Sequence, residues 1–190
     1  MKVKEIEFDE VVSDEDIQNG NVILCGHRLG LEYVQTFANI IDKYQNRFNH
    51  VYFDFFHSIS LDLDFTQNIT VVDGYKSSVE IIKHIEMYCK HSRKAKFVFI
   101  DGWEEVEDKG DWFVRMLVVL SVVYRLVILI SSRMPRRVDS ARKLLPKKKD
   151  YMRLGKLSKL SKKHIYITNP SKYYKNKGID KIQYYLFKGE

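Results

Sequence analysis

Apolar residues along the chain fall into short runs separated by longer stretches in which they return every third or fourth position. The runs Asn21 to Cys25, His50 to Phe55, Ile69 to Val72, Lys96 to Asp101 and Leu126 to Ser131 have the length and β-branched or aromatic content of strands. Between them, Leu31 to Tyr44 puts Val34, Phe37, Ile40 and Ile41 on one helical face. Ser77 to Lys90 does the same with Val79, Ile82, Ile85 and Met87, and Ser77 or Ser78 is placed to cap it. Asp111 to Tyr124 is apolar on most faces. Its Val-rich end has strand character, but its length favours a helix, sandwiched against a sheet.

Strands that alternate with helices predict an α/β fold with a mostly parallel central sheet. Runs such as FVFID and LVILISS, apolar on both faces, suit central strands covered by helices on each side. His164 to Thr168 and Lys181 to Phe187 predict two further strands after the helical part, flanking the turn-rich stretch Asn169 to Gly178. They suit an antiparallel extension of the sheet. Residues 16–190 are read as one domain, preceded by a short acidic arm over 1–15. With 190 residues, 45% of them hydrophobic, the chain can bury a sizeable core.

Charge and composition narrow the classes. The longest apolar run, Met116 to Tyr124 continuing into Leu126 to Ile130, is broken by Arg125 and is too short to span a membrane. The opening MKVKEIEFDEVVSDED carries acids where a secretory signal has a basic head and an apolar stretch, so a cytoplasmic protein with no membrane partner is expected. Cys25 and Cys89 form neither a CxxC nor a Cys/His cluster, which argues against a disulfide framework and a structural zinc. The net charge of +7 is concentrated. Arg133 to Lys163 holds thirteen Lys or Arg against Asp139 and Asp150, a local balance of +11 that leaves the remainder near −4. A block of this kind suits contact with the phosphates of a nucleic acid, whereas its more ordinary role is a solvated loop.

Four stretches could carry chemistry. In GNVILCGHRLGLEYVQTF, a strand, a glycine-containing turn and a helix follow one another as in a phosphate-binding loop, where backbone N–H groups, a Lys and a Ser/Thr hydroxyl meet phosphate and magnesium. Here Gly26 and Gly30 are present, but Leu31 stands where the Lys belongs and Glu32 where the hydroxyl belongs. Both oppose nucleotide binding, and a tight strand-to-helix turn explains the glycines equally. KFVFIDGW ends a buried strand in Asp101, a position suited to magnesium or simply to capping a turn. LVILISSRMPRRVDSARKLLPKKKD opens into the basic block, with Arg133, Arg136, Arg137, Arg142, Lys143, Lys147, Lys148 and Lys149 as candidate nucleic-acid contacts. The closing NPSKYYKNKGIDKIQYYLFKGE interleaves Tyr173, Tyr174, Tyr184 and Tyr185 with lysines, although Ile182, Tyr184 and Leu186 alternate as on the inner face of a strand. Asp62 and Asp64 share one side of an extended segment, without a neighbouring base or metal-ligand pattern. His27 and His57 read as polar residues at strand ends.

Taken in order, these pieces resemble the RecA-like motor domain of DnaB-type replicative helicases, over roughly Asp16 to the end. NGNVILCGHRLG is similar to the strand and Walker A loop, HVYFDFFHS to the strand ending in a catalytic Glu, and ITVVDGYKSSVEIIKHIEMY to the strand and helix before Walker B. FVFIDGWEEV resembles Walker B, VILISSRMPRRVD the sensor strand with its basic loop, and HIYITNPSKYYKNKGIDKIQYYLF the closing section. The resemblance implies a P-loop NTPase fold in which hydrolytic residues have been lost. Leu31 and Glu32 replace the lysine and the hydroxyl, Phe56 the glutamate that polarises water, and Ser132 sits near the sensor glutamine, while Asp101 is retained. Lys175 and Lys177 fall on a motif that in the family reaches a neighbouring subunit's nucleotide. Phosphoryl transfer rests on positioning and electrostatics, so such losses imply no ATPase and no use of ATP or magnesium.

Three functions follow as expectations. The first is a catalytically degenerate, nucleic-acid-binding relative of the helicase, with DNA the expected partner, in replication or on a mobile element. The second is an interaction module that docks on an active replicative helicase or self-associates. The third is a weak residual NTPase. The chain is also shorter than a full motor and has no counterpart of the family's separate N-terminal domain, which argues against autonomous unwinding.

Overall fold

The computed structural model describes residues 2–28, 31–56, 68–74, 77–134, 154–168 and 182–188. Eight strands form one sheet: β1 (Lys2–Ile6), β2 (Asn21–His27), β3 (Asn49–Asp54), β4 (Ile69–Val72), β5 (Ala95–Asp101), β6 (Val127–Arg133), β7 (Lys163–Thr168) and β8 (Gln183–Lys188). Their order across the sheet is β1-β8-β7-β2-β6-β5-β3-β4. The six strands from β7 to β4 are parallel, and β8 and β1 extend the sheet antiparallel beyond β7. Among the described residues five helices accompany it: α1 (Asp14–Asn19), α2 (Leu31–Tyr44), α3 (Ser78–His91), α4 (Asp111–Val123) and α5 (Lys156–Leu160).

The period-2 alternation of strand side chains divides the core in two. On one face, Ile23, Cys25, Tyr52, Phe97, Phe99, Leu129 and Ile165 meet Phe37, Ile40, Ile41 and Tyr44 of α2. On the other, Leu24, Phe53, Val98, Ile100, Ile128 and Ile130 meet Ile81, Ile82 and Ile85 of α3, and Phe113, Leu117 and Leu120 of α4. The α2 face is aromatic. Phe97 stacks with Tyr44 at a centroid distance of 5.1 Å, and Phe37 lies 5.1 Å from Phe99. Rings of this size remove more water-exposed area per residue than any aliphatic side chain, and their fixed shape sets how α2 lies on the sheet. The alternation of Ile182, Tyr184 and Leu186 does face this same core.

Three elements differ from the sequence reading. Lys2–Ile6, set apart as part of an arm, is the edge strand paired with β8, with Lys4 opposite Leu186. A five-residue strand has little hydrophobic signal of its own, because only Ile6 among its apolar side chains is buried. The basic block is not loop throughout: Arg133 ends β6, Lys156–Leu160 is helical and Lys163 begins β7. Finally, α4 is covered on one side only. Trp112, Val119, Val122 and Val123 are about half exposed or more, because α4 lies in the outer layer and no element among the described residues packs over that side.

The segment before β2 is fastened by a buried ion pair. Lys163 Nζ lies 2.9 Å from an oxygen of Asp16, and Asn21 Nδ2 donates to the other oxygen at 2.6 Å. Burial alone would raise the pKa of Asp16, but the bonds from Lys163, Asn21 and Ser13 hold it below the usual carboxylate value. Gly20 closes α1 with φ of +74°, and a Cβ there would lie 1.9 Å from the carbonyl oxygen of Ser121 in α4. Backbone therefore presses on backbone where α1 ends beside α4. Gly20→Ala should cost about 3 kcal/mol of stability, from a left-handed conformation and a backbone clash together. Urea denaturation checks this, and a loss below ~1 kcal/mol would show that the contact is not tight.

Candidate functional site

In an open α/β sheet a crevice forms beyond the carboxyl ends of adjacent strands whose following connections leave to opposite faces. Here those strands are β2 and β6. The helix that follows β2, α2, packs on one face, whereas α5, the next described helix after β6, packs through Leu157 with α3 and α4 on the other. Gly26 pairs in register with Ser132 and His27 with Arg133, and Met134 N donates to the carbonyl of His27 at 2.8 Å. The ends of β5 and β3 stand beside them.

Gly26 is a strand residue, flanked by Ser132 of β6 and Tyr166 of β7. Strand β2 runs to His27 and α2 begins at Leu31, so only residues 28–30 connect them. A loop that wraps a phosphate with successive N–H groups needs several residues outside the ladder. Glu32 lies in the first turn of α2, almost wholly buried, and its Oε2 meets no hydrogen-bond partner. The imidazole of His27 packs on Tyr33 with centroids 4.1 Å apart. Burial, with the Arg133 charge nearby, pushes the His27 pKa down to about 3, so it is neutral at physiological pH. Gly30 and the side chain of Leu31 lie outside the described residues.

Asp101 ends β5 and is fully buried. Its Oδ1 accepts from Ser131 Oγ at 3.2 Å and its Oδ2 from Tyr52 OH at 3.3 Å, while Ser131 Oγ accepts from Gly102 N at 2.7 Å. Asp101 thereby joins β3, β5 and β6 at one level. Next to it, Glu104 Oε1 accepts from Ser132 Oγ at 2.6 Å and from Arg133 N at 2.9 Å. The single turn Trp103–Glu105 that holds Glu104 is pinned by Trp103, stacked on Phe113 of α4 at 5.8 Å. Phe56, just beyond β3, is 45% exposed and its ring lies over Gly102: a Cβ on Gly102 would meet Phe56 Cε2 at 2.3 Å.

The structure thus brings Gly26, Glu32, Phe56, Asp101, Ser132 and Arg133 to the carboxyl edge of the sheet. Arg136, Arg137, Arg142, Lys143, Lys147, Lys148, Lys149, Lys175 and Lys177 fall outside the described residues, as do His57, Asp62, Asp64, Tyr173 and Tyr174. Sequence reasoning missed Tyr52, Ser131 and Glu104. A signal existed for Ser131: aligning FVFID with LVILISS in parallel register sets it beside Asp101. Glu104 carried none, because its partners come from a strand 28 residues on. Among the described residues no cluster of three or more His, Cys, Asp or Glu could hold a metal ion, and no helix is long and apolar enough to cross a membrane.

No family model matches this sequence, and no curated protein does. Solved structures do match. A DnaB-like replicative helicase, determined with its interactions with primase, superposes with a TM-score of 0.60 at 14% identity, covering 83% of this chain and 50% of the helicase. The chain has the RecA-like fold of DnaB-type helicase ATPase domains. A second solved structure, of an ATPase domain, also gives a TM-score of 0.60, at 12% identity over 84% of this chain and 73% of the other. The chain spans half the length of the first helicase, and its RecA-like sheet supplies the parallel strand ends on which Asp101 and Gly26 stand.

Two measurements test this edge. Gly102→Ala should destabilise by about 2 kcal/mol, part from its φ of +92° and part from Phe56. In a Phe56→Ala background the second part should vanish, a coupling of about 0.5–1 kcal/mol in a double-mutant cycle; equal costs in both backgrounds would refute the contact. For His27 the folded pKa lies below the unfolded value near 6.5, so its contribution is whole above pH 6.5 and is lost as pH falls toward 3. The protein should lose on the order of 2 kcal/mol between pH 6.5 and 5 from this group, and His27→Phe should flatten that limb of a pH–stability profile.

Proposed function

We propose that this chain is a catalytically silent relative of DnaB-type helicase motors, which holds nucleic acid through the basic segment beginning at Arg133 and uses neither ATP nor magnesium. Its setting is DNA replication or a mobile element, with DNA as the polyanion. The observation that carries the silent half is Gly26 held within the sheet, with three residues between β2 and α2. A polyphosphate finds only a three-residue connection there, with a buried carboxyl, Glu32, in the first turn of the helix. The rest of the edge agrees. Asp101 accepts hydroxyl bonds from Ser131 and Tyr52, and Phe56, which the helicase resemblance aligns with the water-polarising glutamate, has its ring against Gly102.

The binding half is supported by the +11 balance of Arg133 to Lys163 and by the exposed position of Arg133 at the carboxyl end of β6, where the segment begins. Contacts of this kind act by releasing counterions from phosphates, so affinity for single-stranded DNA should fall steeply with salt. Reversing Arg136, Arg137, Lys147 and Lys148 to Glu should weaken binding more than tenfold and flatten the log–log salt slope by roughly three to four. Fluorescence anisotropy over a salt series decides it, and unchanged affinity defeats the reading. For the silent half, millimolar ATP with magnesium should leave the melting temperature unmoved. ATP turnover that Asp101→Asn abolishes would point to a residual NTPase instead.

A further inference from the structure

The residues at which the basic segment starts are fastened one after another. Ser131 Oγ donates to Asp101 Oδ1 and accepts from Gly102 N, Ser132 Oγ and Arg133 N both donate to Glu104 Oε1, and Met134 N donates to the carbonyl of His27. Met134 is itself buried in the core shared with α3 and α4. Pro135 follows in the sequence, and a proline confines the residue before it to extended backbone. Up to Met134 the path of the chain is therefore fixed. Glu104 stands apart among these fasteners. Asp101, Ser131 and Ser132 are fully buried, whereas Glu104 is exposed and comes from the single turn Trp103–Glu105 outside the sheet. That turn has its own brace. Lys109 Nζ donates to the carbonyls of Trp103 and Glu104 at 3.0 and 2.8 Å and lies 6.0 Å from the centre of the Trp103 ring, which stacks on Phe113. The carboxylate is thus presented on a rigid mount, to the two residues where the positive charge begins.

Charge alone argues against an acid in that place. A carboxylate beside the first cation of a phosphate-binding segment lowers the local positive potential, so by Coulomb's law it weakens the hold on a polyanion. We propose that Glu104 is a positioning residue for polyanion binding: by holding Ser132 Oγ and the Arg133 amide it fixes where the basic segment starts. A root fixed beforehand leaves less freedom to be lost when Arg133 and the cations after it meet phosphates. The gain in position outweighs the loss in potential. Glu104 itself touches no phosphate, and it acts through Ser132 and Arg133. This role rests on the nucleic-acid reading and adds to it the residue that sets the root of the binding segment.

Two variants that remove the same charge separate position from charge. Glu104→Gln keeps an oxygen that can accept both bonds, and Glu104→Ala keeps none. By charge alone, both should bind single-stranded DNA slightly more tightly than the wild type and equally well. With positioning, Glu104→Gln should hold at or above wild-type affinity while Glu104→Ala falls about fivefold or more below it, read by fluorescence anisotropy over a salt series. The log–log salt slope should be the same for both, because no phosphate contact is removed. Ser132→Ala takes away one of the two bonds and no charge, and should weaken binding by a smaller factor. Hydrogen exchange followed by NMR should find the Arg133 amide protected in the wild type and in Glu104→Gln and faster in Glu104→Ala, while the amides of β5 stay protected in all three and so report an intact sheet. Equal affinities of the Gln and Ala variants, tighter binding by Glu104→Ala, or an Arg133 amide indifferent to the substitution would each overturn the positioning role and leave DNA binding standing. A wild-type chain that binds no DNA removes the nucleic-acid reading, and this role with it.

Discussion

Strands β2, β5 and β6 are apolar on both faces, and a strand of that kind is stable only when something covers each side. Two-sided burial therefore requires helices above and below the sheet, and parallel neighbours joined by long crossovers. Here α2 covers one face and α3, α4 and α5 the other. From that division the rest follows: the helices after neighbouring strands must lie on opposite faces somewhere, and those after β2 and β6 do. The crevice is a by-product of burying Phe97, Phe99, Val98 and Ile100 from both sides at once.

What occupies that crevice edge is a set of groups already engaged with one another. Asp101 is held by hydroxyls from two other strands, and Glu104 holds the end of β6 through Ser132 and the Arg133 amide. Each bond ties adjacent strand tops together, so the polar residues of the edge act as structure. Buried polar groups satisfied in this way rigidify the scaffold, and a group that spends its lone pairs on neighbours is less free to receive a ligand. Glu32 differs, since one of its oxygens is buried without a partner. The elements farther from this edge use other devices: the Asp16–Lys163 pair fastens the N-terminal turn, and Gly20 lets it approach α4.

Much of this was legible beforehand. The boundaries of α2 and β4 agree with the periodicity to the residue, and those of α3, α4 and the other parallel strands to within one or two, whereas the short helices α1 and α5 had no periodic signal. Asp101, Gly26, Glu32 and Phe56 were placed at the sheet's carboxyl edge by motif order. The β1 strand was not legible, because an edge strand with one buried apolar residue lacks the alternation that marks a half-buried one. Nor was the exposure of α4. Its composition states that it avoids water on most faces, without stating whether the same chain supplies the cover.

The order of apolar and polar residues by itself determined which segments are strands, which are helices and which side of each is dry, since these depend on spacing along one stretch of backbone. It determined also that Leu31 and Glu32 follow Gly30 after β2. Only the tertiary structure decided that Gly26 is taken up by the ladder between β6 and β7, that Phe56 lies on Gly102, and that Ser131 and Tyr52 hold Asp101. Those facts depend on which strands become neighbours. That choice is made by the packing of whole layers, and no local pattern encodes it.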